Sequence, residues 1–174
     1  MKSEPKNIVI TGAESTGKSA LTRWLANHFQ APFIPEYARD HIENLGRKYQ
    51  FSDVEFIARK QIQQLNELQK TNPPLVFSDT WLIITKIWFE EVYGRKPEWL
   101  EHEITNAKID LFLVCDTDLP WIPDPVRENG GEKRLYLQKK YIETIEKYDF
   151  NYKIVRGKDE FRFTCALKYI SQMI

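Results

Sequence analysis

Short apolar, β-branched runs alternate along this chain with longer stretches whose apolar residues recur every three or four positions. The first run, Asn7-Ile8-Val9-Ile10-Thr11, reads as a strand. From Ser19 to Phe29 the apolar residues Leu21, Trp24, Leu25 and Phe29 keep a helical spacing. Ala31-Pro32-Phe33-Ile34-Pro35 is a second strand, short or at an edge, because proline has no N–H for a ladder. It runs into Glu36-Tyr37-Ala38-Arg39. Ser52-Asp53-Val54-Glu55 carries a capping-box pattern, with Ser52 as N-cap and Glu55 at N3. The helix it opens places Val54, Ile57, Ala58, Leu65 and Leu68 on one stripe, interrupted by the polar Gln61, and Asn72-Pro73-Pro74 stops it.

Leu75-Val76-Phe77-Ser78-Asp79 is a third strand ending in an acid. Thr80 to Tyr93 is a strongly apolar helix closed by Gly94, and Pro97 to Ala107 is another, with its proline at the first turn. Asp110 to Asp116 is the fourth strand. An irregular stretch, Thr117 to Glu132, follows with Pro120, Pro123, Pro125, Gly130 and Gly131. A helix resumes from Lys133 to Tyr148, Tyr152-Lys153-Ile154-Val155 is the fifth strand, and Asp159 to Met173 the last helix. Strands alternating with helices predict an α/β, three-layer fold: a five-stranded parallel sheet with helices on both faces. Ligands of such sheets bind at the C-terminal strand ends. One rim therefore gathers the turn after the first strand, Glu36, Asp79, Asp116 and Arg156-Gly157. There is no internal repeat and no linker, so the reading is one domain over residues 1–174, with the segment at about 117–134 as a lid.

That first turn changes the picture most. Gly12-Ala13-Glu14-Ser15-Thr16-Gly17-Lys18-Ser19 fits G-x-x-x-x-G-K-[ST], between a strand and a helix as the motif requires. The glycines let the backbone turn successive N–H groups toward phosphate oxygens, and the helix start, with Ala20 in its first turn, adds partial positive charge. Lys18 is expected to reach the β- and γ-phosphates, and Ser19 to sit on Mg²⁺. Composition narrows the partners. At 174 residues, 42% hydrophobic and 29% charged, the chain can build a core. Its zero formal net charge gives no reason to expect nucleic acid or an anionic membrane. The polar N-terminus and the lack of a long apolar run argue against a signal peptide or membrane span, so a cytoplasmic protein is expected. Cys115 and Cys165 lack metal or redox spacing, and Cys115 reads as a small buried hydrophobe.

Three classes of phosphate-loop protein compete. A GTPase switch would follow its third strand with Asp-x-x-Gly, but here stands Asp79-Thr80-Trp81-Leu82, and Asn106-Ala107-Lys108-Ile109-Asp110 has the wrong spacing to read guanine. An ATP-hydrolysing motor would place Glu after the strand-end Asp; Thr80 stands there, and the chain is short for an AAA-type module with a helical lid domain. A small-molecule kinase must instead hold a hydroxyl in line with the γ-phosphate and exclude water. Glu36 and Asp79 supply acids at neighbouring strand ends, and the lid segment supplies Arg127 and Arg134 for the transferring phosphoryl group.

The motifs Gly12 to Ser19, Glu36-Tyr37-Ala38-Arg39, Phe77-Ser78-Asp79-Thr80 with Thr85-Lys86-Ile87-Trp88, and Pro120-Trp121 with Asp124 and Arg127 together resemble one family. It is the ribosylnicotinamide kinase domain of NadR-type NAD-biosynthesis proteins, and the resemblance covers nearly the whole chain. It implies transfer of phosphate from Mg-ATP to the 5′-hydroxyl of nicotinamide riboside; another nucleoside, a small alcohol, or a nucleotide switch without transfer stand as alternatives. His28, His41 and His102 are scattered and give no adenylyl-transfer motif. Asp79 is assigned to Mg²⁺ or its water shell, with possible base duty, and Glu36 to the acceptor hydroxyl; the roles are exchangeable. Tyr37, Arg39, Gln61 and Asp124 are expected around the acceptor. Trp88 is either core or a ring-stacking surface, Trp121 either a lid contact or a loop anchor. Gly157, with Arg156 and Lys158, borders the adenine by fold analogy.

Overall fold

The computed structural model describes residues 4–174. Five strands, β1 (Lys6–Thr11), β2 (Phe33–Ile34), β3 (Leu75–Asp79), β4 (Leu111–Cys115) and β5 (Tyr152–Val155), form one sheet in the order β2-β3-β1-β4-β5. Every pairing is parallel, with Ile8 opposite Phe77 on one side and Leu111 on the other. The expected five-stranded parallel α/β sheet is therefore what the chain forms. The order reverses at β1, so the crevice at its C-terminal end opens between β3 and β4.

Among the described residues seven helices flank the sheet: α1 (Lys18–Phe29), α2 (Tyr37–Glu43), α3 (Phe51–Lys70), α4 (Leu82–Tyr93), α5 (Glu98–Thr105), α6 (Gly131–Lys147) and α7 (Asp159–Ser171). Alternation along the strands feeds two cores. On one face Ile8, Ile10, Phe77 and Leu113 pack under Leu21 and Leu25 of α1 and Ala166 and Ile170 of α7. On the other, Val9, Val76 and Phe112 meet Val54 and Ala58 of α3 and Leu82, Ile83 and Phe89 of α4. Helix α4 is apolar nearly all round because it packs against the sheet, α3, α5 and α6 and also lends Ile84 and Trp88 to an open cleft.

Helix α2 is a departure from the pattern, which carries no helical stripe there; none of its residues is buried. The start of α3 is a correction. Its cap is Gln50, not Ser52: the Asp53 N–H donates to the Gln50 carbonyl at 3.0 Å while the Asp53 carboxylate accepts from the Gln50 N–H at 2.7 Å. Arg47 decides the frame by binding the same carboxylate through two nitrogens at 2.7 and 2.9 Å. That pairing holds Asp53 down at about 2, well below the usual carboxylate range. Cys115 is fully buried, as expected, and burial pushes its thiol up to about 12. Among the described residues no helix is long and apolar enough to cross a membrane.

Candidate active site

The turn between β1 and α1 is held by its glycines. Gly12 has φ +134, and a Cβ there would lie 2.6 Å from the Cys115 carbonyl oxygen, so only glycine lets β4 come this close. Gly17, at φ +77, turns the chain into α1. Inside the loop the Thr16 hydroxyl donates to the Ala13 carbonyl at 2.9 Å, and Lys18 Nζ donates to the same oxygen at 2.9 Å. Helix α6 supports the loop from behind, which the sequence pattern does not reveal. Gln138 Oε1 accepts from the Ala13 N–H at 2.8 Å, and its Nε2 donates to the Cys115 carbonyl at 2.9 Å. Arg134 donates to the Glu14 and Ser15 carbonyls, both at 2.9 Å. This corrects the reading of Arg134 as a partner of the phosphoryl group: it is buried and its guanidinium is spent on the loop backbone.

The loop forms one end of a cleft of about 680 Å³. Gly12, Glu14, Ser15, Thr16, Gly17, Lys18, Ser19 and Ala20 line this end, together with Arg23 of α1. Of the two expected acids, Glu36 lines the cleft and Asp79 is buried behind it. Glu36 is the last residue before α2, and Asp79 ends β3, which lies between β2 and β1. Burial raises the Glu36 carboxyl above its ordinary range; Lys18 opposes the shift, Asp79 adds to it, and Arg39 opposes it. Burial also raises Asp79, against a hydrogen bond from Ser19 and the charges of Lys18 and Arg23. Asp79 Oδ1 is buried with no hydrogen-bond partner. An orphaned carboxylate oxygen beside a serine hydroxyl suits a hard cation that takes oxygen ligands, so Ser19 and Asp79 fit Mg²⁺. Directly after Asp79, Thr80 holds φ +66, unusual for a β-branched residue, and its N–H donates to the Ile10 carbonyl at 2.9 Å.

The far end of the cleft is walled by Tyr49 and Trp88, packed edge to face with centroids 4.9 Å apart. Trp88 is half-buried and faces the cleft. Tyr49, in the connection between α2 and α3, carries no motif in the sequence. Gln61 also lines the cleft, its carbonyl accepting the Thr85 hydroxyl at 2.9 Å. Arg39 and Arg127 both line it, brought together by Asp124 Oδ2, which binds them at 3.0 and 3.1 Å.

Six expected residues lie outside the cleft lining: the buried Asp79 and Arg134, described above, and four more. Tyr37 turns outward and packs against His41 and Phe56. Trp121 donates its Nε1–H to Glu14 at 3.2 Å, and Gly130 lies against its ring, so it anchors the loop. Asp124 is occupied by the two arginines. Gly157 donates its N–H to Asp118 at 2.7 Å on the β5 side of the sheet, with Phe161 packed over it.

Residues 7–162 match the family described as an AAA domain. Chain length therefore does not exclude that family, contrary to the expectation from the sequence. The chain is 27% identical over 175 aligned residues to the trifunctional NAD biosynthesis/regulator protein NadR of Escherichia coli K12, covering 97% of this chain and 43% of that protein. NadR of Salmonella typhimurium LT2 gives the same figures. The chain thus spans less than half the length of the curated relatives it matches. Among solved structures, NadR bound to NR superposes with a TM-score of 0.82 at 23% identity, over 98% of this chain and 52% of that one. NadR with NAD and AMP-PNP gives 0.77 at 22% identity, over 98% and 50%. A deoxyadenosine kinase from M. mycoides gives 0.69 at 16%, over 95% and 99%. The chain belongs to the AAA domain family, on a P-loop nucleoside-kinase-like fold.

Proposed function

We propose that this chain is an ATP-dependent nucleoside kinase that phosphorylates the 5′-hydroxyl of nicotinamide riboside. One observation carries the reading: Glu36 lines the cleft with the phosphate-loop lysine, the buried Asp79 ends the neighbouring strand with an unpartnered carboxylate oxygen, and no acid follows Asp79 to activate water. Similarity to NadR, one structure of which holds NR, supports the choice of acceptor.

In this reading Lys18 and the loop N–H groups bind the β- and γ-phosphates, and helix α1 adds its N-terminal dipole. Mg²⁺, held by Ser19 and Asp79, supplies charge neutralisation between the phosphates when bound. Glu36 accepts the proton of the acceptor hydroxyl. Its raised affinity for protons makes it a better base than an exposed carboxylate. Arg127 stabilises the transferring group from the lid. The Tyr49–Trp88 wall offers aromatic faces to a pyridinium ring, worth ~0.5–2 kcal/mol over a neutral ring, or roughly two- to thirtyfold.

The deciding experiment is mass spectrometry of ATP reactions with nicotinamide riboside, uridine, adenosine or no acceptor. Nicotinamide mononucleotide should be the dominant product, with ATP loss low when acceptor is absent. A phosphorylated uridine or adenosine in larger yield would replace the acceptor. Equal ATP loss in all four, with no phosphorylated product, would overturn kinase chemistry in favour of a nucleotide switch.

A further inference from the structure

An acid inside a phosphate-binding loop is an unfavourable choice if its charge stays free, because it repels the ligand. Glu14 is such an acid, and its charge is not free. Its carboxylate accepts four hydrogen bonds, all from the segment between β4 and α6: Trp121 Nε1 at 3.2 Å, the Glu128 N–H at 3.2 Å, the Asn129 N–H at 3.1 Å and Asn129 Nδ2 at 3.0 Å. The next residue adds two more. The Ser15 hydroxyl donates to the Pro120 carbonyl at 3.3 Å and accepts from the Ile122 N–H at 3.0 Å. Two consecutive loop residues thus grip both limbs of the segment, Pro120–Ile122 where it arrives and Glu128–Asn129 where it leaves.

Arg127 stands between those limbs. Asp124 Oδ1 accepts the Val126 and Arg127 N–H groups at 3.0 and 3.1 Å, and Oδ2 binds the Arg127 guanidinium and Arg39 of α2. The turn that presents Arg127 is therefore stiff in itself, and its place over the cleft is set by the limbs. Gly130 completes the fit: a Cβ there would stand 3.1 Å from the Trp121 ring.

We propose that Glu14 is a positioning residue that fastens the 117–130 segment to the phosphate loop and so sets where Arg127 meets the transferring phosphoryl group. Four N–H donors offset the carboxylate's charge only while the segment is docked. An undocked segment leaves a bare anion beside the nucleotide phosphates. Docking and nucleotide binding therefore favour each other, and the coupling is reciprocal. The role of Arg127 rests on the kinase reading above; the fastening itself does not.

Hydrogen exchange on the ligand-free protein tests the fastening whatever reaction is catalysed. In Glu14→Ala the Glu128 and Asn129 amides should exchange on the order of 10- to 100-fold faster, while amides of β1 and β3 keep their wild-type rates. Glu14→Asp should fall between the two. In steady-state kinetics Glu14→Ala should lower kcat on the order of 10²-fold with KM for ATP nearly unchanged, the split expected from misplacing a transition-state contact. Wild-type exchange at Glu128 and Asn129 in Glu14→Ala would overturn the proposal. So would an equal fall in ATP affinity and kcat, which marks Glu14 as a plain part of the loop. If Glu14→Ala does not fold, Trp121→Phe removes one of the four bonds alone, and unchanged exchange at Asn129 there overturns the proposal equally. Failure of the wild type to phosphorylate any riboside would strike the kinase reading and leave the exchange result standing.

Discussion

Replacing Gln138 by leucine deletes two hydrogen bonds while nearly conserving volume, so it isolates what helix α6 does for the phosphate loop. Gln138 is buried, as are Ala13 and Cys115, whose N–H and carbonyl it binds at 2.8 and 2.9 Å. Only one orientation of the amide satisfies both partners, the oxygen toward the N–H and the nitrogen toward the carbonyl. In Gln138→Leu both backbone groups stay buried and lose this partner. Each orphan costs about 1–3 kcal/mol, so the pair costs ~2–6 kcal/mol. A domain of this size loses about 2–4 °C of Tm per kcal/mol, which places the fall at no less than ~4 °C. The Ala13 N–H would also lose its fixed direction, so the Kd for ATP should weaken. Differential scanning calorimetry and ATP titration measure the two effects. Gln138→Glu sharpens the test: it keeps the acceptor for Ala13 but, when ionised, has no donor for Cys115. Its deficit should shrink as pH falls and the carboxyl gains a proton. A Gln138→Leu protein within ~1 °C of wild-type Tm, below the smallest expected shift, would refute the claim that α6 holds the loop.

Arg127→Ala should lower kcat by roughly 10³-fold with little change in the Kd for ATP, as expected of a cis-acting arginine that acts in the transition state; single-turnover kinetics and calorimetry would check it. Glu36→Gln should lose transfer yet gain Tm at neutral pH. The sign follows from burial: the folded protein holds the Glu36 proton more tightly than the unfolded chain, so stability is full below the ordinary carboxylate range and declines as pH rises through the raised folded value. By the same shift, the acid limb of the wild-type kcat/KM profile should lie above the ordinary glutamate range and disappear in Glu36→Gln; a superimposable limb would remove Glu36 as the base.

The strands and the phosphate loop were legible because their signals are local. β-branched runs, glycines at fixed offsets and a helical stripe after Lys18 need no tertiary information. The cap of α3 shows where local signals fail: Ser52/Glu55 and Gln50/Asp53 are both spaced for a capping box, and the choice falls to Arg47, outside the motif. Helix α2 was hidden because its residues are at most half-buried and carry no apolar stripe. The cleft illustrates the same divide. Glu36, Asp79 and Lys18 could be placed on one rim from topology. Gln138 and Tyr49 could not, since a polar residue on a helix and an aromatic in a connection become informative only once their partners are known. Arg134 and Trp121 sit in the expected segment, but their hydrogen bonds go to the loop backbone and to Glu14, a direction that residue type does not encode.

The shortness of β2 bears on how the molecule behaves at high concentration. An outer strand normally offers a row of free N–H and C=O groups to any other chain that can extend beside it. Here that row is cut to two residues, Phe33 and Ile34, and the chain leaves them through Pro35, which has no N–H to offer. Pro32 borders the other end, its carbonyl already taken by the Phe77 N–H at 3.2 Å. The opposite margin, β5, carries Lys153 between Tyr152 and Ile154, a charge that a stacked neighbour would have to desolvate. Both margins of the sheet are thus poor templates for recruiting a sixth strand from another copy, and the protein is guarded against edge-to-edge aggregation while its cleft stays open.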